Sequence, residues 1–184
     1  ASSEREPYEP EDLAVIFEAP LFRGSDGKGM RDNQGDKVIK DHRYWLPVLA
    51  HYTGARVGEL ASLHTDEVRE EGGIWFIDLT ERPSSGARRV KNRSARRIIP
   101  LHNDLVELGF VEHVRRTVSD MVFPELDGPG KASDQFVKWW GRWCERTAPL
   151  KGQGIDDPAK TFHSFRHGWK RAARQSPVKE EVHD

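Results

Sequence analysis

The chain has 184 residues, enough for one domain with a sizeable hydrophobic core. Its single cysteine, Cys144, excludes a disulfide framework and a multi-cysteine metal site, and it favours a reducing, cytoplasmic compartment. No apolar run is long enough to span a membrane, and the acidic, polar residues 1–10 do not resemble a signal peptide.

The net charge of −1 hides a segregated distribution. Residues 82–97 contain seven basic side chains and no acidic one, and residues 160–179 contain six more with no acid. The acids collect in residues 4–18 and 66–81 instead. Such segregation can give one face a positive field, so near-neutrality does not exclude nucleic acid as a partner.

The first part of the chain is predicted to be helical. Acids in the first turn and an apolar stripe predict a helix over Glu11–Phe22. Four glycines indicate a surface loop over Arg23–Asp36, and their spacing matches neither nucleotide-binding template. Aromatic residues at helical spacing predict a second helix over Asp41–Tyr52, kinked or started at Pro47. A short third helix follows, ending near Leu63.

The pattern then changes to that of β-structure. Ile74–Leu79 is β-branched and aromatic, and it follows a Gly-Gly turn. Arg96–Leu101 resembles a second short strand, and the basic segment Arg88–Ser94 before it is predicted as a hairpin. The predicted fold class is therefore α+β and mainly α-helical, with a small three-stranded antiparallel sheet inserted among the helices.

Helices are predicted again in the last part of the chain. Asn103 is expected to cap a helix running to Ser119, and Ser133 one running to Thr147. The second contains three tryptophans that do not all fit one apolar face, so one is expected to be partly exposed (Trp139, Trp140 and Trp143). A third helix is predicted over Phe162–Gln175, and Val178–Val182 has the pattern of the first turn of a fourth.

Arg56 and Glu59 stand three residues apart in the segment Thr53–Leu60, between two apolar helical segments. An arginine beside apolar sequence needs an anionic partner, and positions i and i+3 share a helix face. Two interpretations follow. Either Glu59 pairs with Arg56 as a structural ion pair, or Glu59 steadies an arginine whose remaining donors bind a phosphate.

His163 and Arg166 have the same spacing and would place their donors side by side on a helix. Such donors stabilise the charge that develops on a reacting phosphodiester. Two alternatives are a basic, solvated helix face and half of a zinc site formed by His163 with His167, although no third ligand is evident. Lys91, in the presumed hairpin, either contacts phosphate or donates a proton to a leaving alkoxide.

Taken together, three segments resemble the catalytic domain of the tyrosine recombinase, or phage integrase, family. They are Thr-Gly-Ala-Arg-x-Gly-Glu-Leu at residues 53–60, a basic hairpin with Lys91 followed by Arg-Arg-Ile-Ile-Pro-Leu, and His-x-x-Arg-His at residues 163–167. The resemblance runs from about Pro7 to the chain end. It implies a fold of the DNA breaking-rejoining type.

The resemblance also implies roles for individual residues. Arg56 matches the first catalytic arginine and Glu59 its supporting acid, and Lys91 matches the lysine that protonates the leaving oxygen. His163 and Arg166 match the His-x-x-Arg pair, which grips the scissile phosphate together with the first arginine. The expected partner is double-stranded DNA, with no metal and no nucleotide cofactor. The DNA-contacting residues are expected to be basic: Arg88, Arg89, Arg93 and Lys170.

One feature departs from the family pattern. The family's nucleophilic tyrosine follows the His-x-x-Arg helix, whereas the three tyrosines of this chain precede it, and the context of His183 does not match the family's later histidine. Residues 1–184 are therefore expected to be one catalytic domain, incomplete at its C-terminus and lacking the N-terminal DNA-binding domain. The complete protein is expected to assemble with further recombinase subunits, as a tetramer on DNA. A bacterial or phage origin is also expected. A non-catalytic DNA-binding module is the alternative.

Overall fold

The structure is a computed structural model that describes residues 5–80, 96–126, 132–147 and 149–176. Helices dominate these residues, and three short strands form one antiparallel sheet in the order β1-β2-β3. This confirms the predicted class, α+β and mainly α-helical. The helices are α1 (Pro10–Glu18), α2 (Pro20–Arg23), α3 (His42–Thr53), α4 (Val57–Ala61), α5 (Asn103–Glu107), α6 (Phe110–Arg116), α7 (Ala132–Arg146) and α8 (Ser164–Gln175). The strands are β1 (Val68–Glu71), β2 (Ile74–Asp78) and β3 (Ile98–Pro100).

These elements fall into two compact units. Unit 2 is the continuous segment Lys40–Phe136, and unit 1 combines the described residues before Lys40 with those from Val137 onward. None of the described helices has the length and apolar character needed to cross a lipid bilayer.

Unit 1 is built around aromatic side chains from both of its segments. Trp140 lies 5.5 Å from Phe162 and 5.6 Å from Phe165, measured between ring centroids. Tyr8 is 2% exposed, and its hydroxyl accepts a hydrogen bond of 3.1 Å from the indole N–H of Trp140. Such burial of large aromatic side chains is the main source of stability available to a unit of this size.

The chain before α1 packs against the start of α8. We call residues 6–12 the N-terminal strap. Its backbone donates hydrogen bonds from Glu6 to the carbonyl of Ala159 and from Tyr8 to the carbonyl of Ser164, at 3.1 and 3.4 Å. Two ion pairs reinforce these bonds: Asp12 with Lys160, at 2.7 Å and largely buried, and Glu9 with Arg171. Contacts from the N-terminal strap therefore stabilise the start of α8.

The prediction for the tryptophans of α7 is wrong. Trp139, Trp140 and Trp143 are all buried, at 7%, 1% and 0% exposure. Offsets of three and four residues keep side chains on one side of a helix, and a buried stripe can be 100° wide or more. The three indoles fit within such a stripe, and the rings of Trp139 and Trp143 stack 6.1 Å apart.

In unit 2, α3 packs against α4 and α5. Trp45 is fully buried and contacts the ring of Phe110 at 5.3 Å. In the sheet, Ile77 pairs with Val68 on one side and with Ile99 on the other, and it is 1% exposed. β1 was not assigned from the sequence, because its run of Val-Arg-Glu-Glu lacks the apolar alternation of a half-buried strand.

Two predicted helices are each broken in two. The helix predicted over Glu11–Phe22 is interrupted at Ala19, because the following proline has no N–H and favours an extended residue before it. The helix predicted over Asn103–Ser119 is interrupted at Gly109, whose φ of 92° lies in the left-handed region that glycine tolerates best. Its first cap is His102, not Asn103, and accepts a hydrogen bond from the N–H of Asp104.

The glycine-rich loop is less superficial than predicted. Ser25 is fully buried and pairs with Lys37 in an isolated antiparallel bridge. Gly35 lies so close to this bridge that an added Cβ would sit 2.3 Å from the carbonyl oxygen of Ser25. The hairpin predicted at residues 88–94 and the helical turn predicted at 178–182 lie outside the described residues.

Candidate functional site

The segment Thr53–Leu60 forms a tight connection between α3 and α4. Gly54 ends α3 with φ at 59°, and its N–H bonds to the carbonyl of Ala50. The hydroxyl of Thr53 accepts a hydrogen bond of 3.1 Å from the N–H of Ala55, which is itself buried. Arg56 is then the N-cap of α4, and Leu60 anchors the helix in the core at 2% exposure. The turn therefore fixes the backbone of Arg56 and leaves its side chain outside the core.

Glu59 is shared by two arginines. Its carboxylate accepts a 2.7 Å hydrogen bond from the backbone N–H of Arg56 and a longer one, 3.3 Å, from the Arg56 guanidinium. Arg97 binds the same carboxylate with both of its terminal nitrogens, at 3.1 and 2.8 Å. This two-pronged geometry is the stronger arrangement for an arginine with a carboxylate. Glu59 therefore pairs mainly with Arg97.

The exposure of the three side chains and the pKa of Glu59 agree with a Glu59 carboxylate that pairs mainly with Arg97. The side chain of Arg56 is 51% exposed, whereas those of Arg97 and Glu59 are 28% and 15% exposed. Burial opposes ionisation of Glu59, but hydrogen bonds from Arg97 and from the Arg56 N–H outweigh it and lower the pKa of the carboxyl group.

The second group of candidate residues lies at the start of α8. The hydroxyl of Ser164 accepts a 2.9 Å hydrogen bond from the N–H of Thr161, which fixes the turn before the helix. Phe162 and Phe165 are buried, at 2% and 3% exposure. His163 and Arg166 occupy the alternate positions and are half-buried, with the N–H of Arg166 bonded to the carbonyl of His163. His163 and Arg166 therefore lie on the same helical turn.

The field at this helix start is positive. Burial lowers the pKa of His163, and the neighbouring positive charges of His167, Arg166, Arg5 and Lys170 lower it further. The imidazole of His163 is thus mainly neutral at pH 7 and able both to donate and to accept a hydrogen bond. An anion bound here would offset the surrounding positive charge.

Metal binding was the alternative considered for the two histidines. The rings of His163 and His167 lie 4.9 Å apart in an edge-to-face contact. Within the described ranges, no group of three His, Cys, Asp or Glu side chains is arranged to hold a metal ion. The histidine pair therefore has no third protein ligand in that part of the chain.

The geometry of the three tyrosines disfavours each as a nucleophile. Burial raises the pKa of Tyr8, whose hydroxyl faces Trp140 and Cys144 in the core of unit 1. Tyr44 is 5% exposed. Tyr52 donates a 2.7 Å hydrogen bond to Asp104, and partial burial together with this carboxylate raises its pKa to about 12. A phenolate, the reactive form, is disfavoured at Tyr8 and Tyr52.

The structure places the predicted residues as follows. Arg56 and Glu59 belong to unit 2, and His163, Arg166 and the exposed Lys170 belong to unit 1. The structure brings together Arg56 with Glu59, and His163 with Arg166, within their own units. The remaining predicted residues lie outside the described ranges: Lys91, Arg88, Arg89 and Arg93.

Arg97 is a partner of Glu59 that local sequence spacing does not predict. Arg97 is one of the basic residues of the segment 82–97 and falls within the strand predicted over Arg96–Leu101, but 38 positions separate it from Glu59. Local spacing detects an i, i+3 pair and carries no information about a contact across that distance. The only sequence signal was the arginine immediately before the strand Ile98–Pro100.

Comparison with known proteins adds a family assignment. The model of the phage integrase family matches residues 35–176, which is more than half of the chain and includes Arg56, Glu59, His163 and Arg166. No curated protein and no solved structure matches the chain.

Proposed function

The chain belongs to the phage integrase family, and we propose that it supplies the catalytic groups for site-specific cleavage and rejoining of DNA strands. The observation that carries this proposal is the half-exposed guanidinium of Arg56 beside a carboxylate that Arg97 occupies. A purely structural ion pair would direct Arg56 at Glu59 with its best geometry. The observed arrangement leaves most of the Arg56 donors to a ligand, and a phosphate is an anion whose geometry matches the guanidinium fork.

The roles follow the family resemblance. Arg56, Arg166 and His163 donate to the non-bridging oxygens of the scissile phosphate and stabilise their added charge in the transition state. A tyrosine oxygen bonds to phosphorus while the bond to the 5′ oxygen breaks, leaving a 3′-phosphotyrosine and a 5′ hydroxyl. Lys91 protonates the departing oxygen. Glu59 orients Arg56 and takes no part in the bond changes.

The tyrosine that attacks is not among Tyr8, Tyr44 and Tyr52 in this proposal, because those side chains are buried or bound to a carboxylate. Basic residues contact the DNA backbone (Arg88, Arg89, Arg93 and Lys170). Recombination on two DNA duplexes would involve further recombinase subunits. The competing function is a module that holds DNA on the same basic residues without chemistry.

The decisive experiment uses the product of the intact gene and a nicked DNA duplex that contains its target site. A recombinase traps itself as a covalent protein–DNA adduct when the nick lets the 5′ hydroxyl fragment diffuse away. We expect an adduct that resists denaturant and is linked through a tyrosine, identified by mass spectrometry of the peptide. Salt-sensitive DNA binding without any adduct would favour the binding module, because phosphate contacts alone give that salt dependence.

DNA binding is also expected to raise the pKa of His163. In the free chain, burial and four positive neighbours favour the neutral imidazole. A nearby phosphate favours the imidazolium, so binding takes up a proton and becomes tighter as the pH falls through the pKa of the complex. Titration of the histidine ring signals by NMR, with and without DNA, measures this change.

His113 provides the internal control for this titration. Burial also lowers its pKa, but its ring bonds to the carbonyl of Val122 within unit 2. We expect its titration to be the same in both states. An unchanged pKa for His163 in the DNA complex would contradict a phosphate bound at the start of α8.

A further inference from the structure

Arg97 stands between the sheet and the start of α4. Its carbonyl accepts a 2.9 Å hydrogen bond from the N–H of Leu79, which continues the pairing of β2 with β3 by one residue, after the end of β2 and before the start of β3. Its backbone is therefore fixed by the sheet. Its side chain is mostly buried, at 28% exposure, and reaches Glu59 across 38 positions of sequence.

The contact between Arg97 and Glu59 is directional. Two nearly parallel N–H···O bonds, at 3.1 and 2.8 Å, fix the plane of the carboxylate relative to the guanidinium. The same carboxylate holds the backbone N–H of Arg56 at 2.7 Å. The sheet therefore fixes the backbone of Arg97, the Arg97 side chain fixes the Glu59 carboxylate, and that carboxylate in turn holds the backbone of Arg56.

This order has a consequence for the ligand of Arg56. A carboxylate without Arg97 would turn toward Arg56, since a guanidinium binds a carboxylate as readily as a phosphate. With Arg97 in place, the Arg56 guanidinium keeps a single long bond of 3.3 Å to Glu59. Arg97 thus competes with Arg56 for the carboxylate and leaves Arg56 available to another anion.

We propose that Arg97 is a positioning residue for the strand-cleavage reaction, acting through Glu59 to orient Arg56 toward the phosphate. The inference rests on the proposed function. Arg97 does not touch the reacting atoms. Its effect comes from geometry, and a small displacement of a catalytic group can cost a large factor in rate.

The test compares Arg97→Ala and Arg97→Lys in the product of the intact gene. We expect the rate of adduct formation at saturating DNA to fall roughly 10- to 100-fold in Arg97→Ala. Arg97→Lys should recover part of the loss, because an ammonium keeps the charge but cannot form the fork. The matched control is Arg116→Ala, which removes an exposed arginine paired with Glu112 on α6 and should leave the rate unchanged.

The pH profile distinguishes positioning from a general loss of structure. Loss of Arg97 leaves one guanidinium group in place of two beside the Glu59 carboxylate, so the pKa of Glu59 rises even where Arg56 takes over part of the contact. The rate should therefore begin to fall at a higher pH in Arg97→Ala than in the wild type as the solution is made more acidic. A double-mutant comparison should show that Arg97→Ala adds little to Glu59→Gln, because both break one contact.

The proposal would be overturned if Arg97→Ala forms the adduct at the wild-type rate and its rate falls at the same acidic pH as that of the wild type. Additive losses of rate in the double mutant of Arg97→Ala with Glu59→Gln would also overturn it. If the wild type forms no adduct, the proposed function fails, and NMR titration of the Glu59 carboxyl in this 184-residue chain then decides about Arg97. If Arg97→Ala raises the pKa of Glu59, the result would support the contact between Arg97 and the Glu59 carboxylate. An unchanged pKa would refute it.

Discussion

Replacing Arg56 with alanine is expected to lower the rate of adduct formation on nicked DNA by about 10²- to 10³-fold. The variant loses a donor to the non-bridging oxygens, which need it most when charge builds up in the transition state. The backbone N–H of residue 56 is unchanged by the substitution and can still bond to Glu59. We therefore expect the free energy of unfolding to change by less than about 1 kcal/mol, as for other exposed ion pairs.

The measurement is the single-turnover rate at saturating DNA, with urea unfolding as the check on the fold. Arg56→Lys is the informative second variant, because it keeps the positive charge but loses the planar pair of donors. A rate close to that of the wild type in Arg56→Ala would remove Arg56 from the mechanism. A low rate accompanied by lost stability would instead indicate a structural role.

Replacing Trp140 with alanine is expected to destabilise unit 1 by about 3–5 kcal/mol. The indole is 1% exposed, its ring centroid lies 5.0 Å from that of Trp143, and its N–H donates to the hydroxyl of Tyr8. The substitution leaves a cavity and removes a partner from a buried hydroxyl group, and both effects lower stability. A loss of this size is a large part of the stability of a typical domain.

Urea unfolding followed by circular dichroism measures the effect, and Trp169→Ala is the matched control. Trp169 lies on α8 and is 41% exposed, so its removal should change the unfolding free energy by about 0.5 kcal/mol or less. Equal effects of the two substitutions would show that the aromatic cluster around Trp140 does not stabilise unit 1.

The fold could be predicted from the sequence wherever local pattern and burial agree. The helix around Trp45 and the strand Ile74–Asp78 were predicted because apolar spacing and residue type favour the same structure. β1 could not be predicted from its own residues. It is a strand because β2 offers a partner, which is a property of the tertiary structure. The helix breaks at Ala19 and Gly109 were readable in principle from the adjacent proline and from the glycine itself.

The candidate site was predictable to a similar extent. The spacing of Arg56 with Glu59, and of His163 with Arg166, placed each pair on one turn because three residues make almost a full helical turn. Arg97, the partner that sets the geometry of Glu59, was not predictable. Its position beside Glu59 depends on the backbone pairing of the sheet, which is a tertiary contact. Sequence spacing thus located the charged groups, but only the tertiary structure showed how they share hydrogen bonds.

The discontinuity of unit 1 bears on the order in which the chain can become structured during synthesis. Unit 2 is continuous, so all of its contacts are available once Phe136 has left the ribosome. The N-terminal strap has no such early partner in the contacts described above. Tyr8 meets Trp140 across 132 positions, and Asp12 meets Lys160 across 148. Closing loops of that length is entropically costly and requires that Lys160 has been synthesised, so the strap is expected to be secured later than the contacts of unit 2.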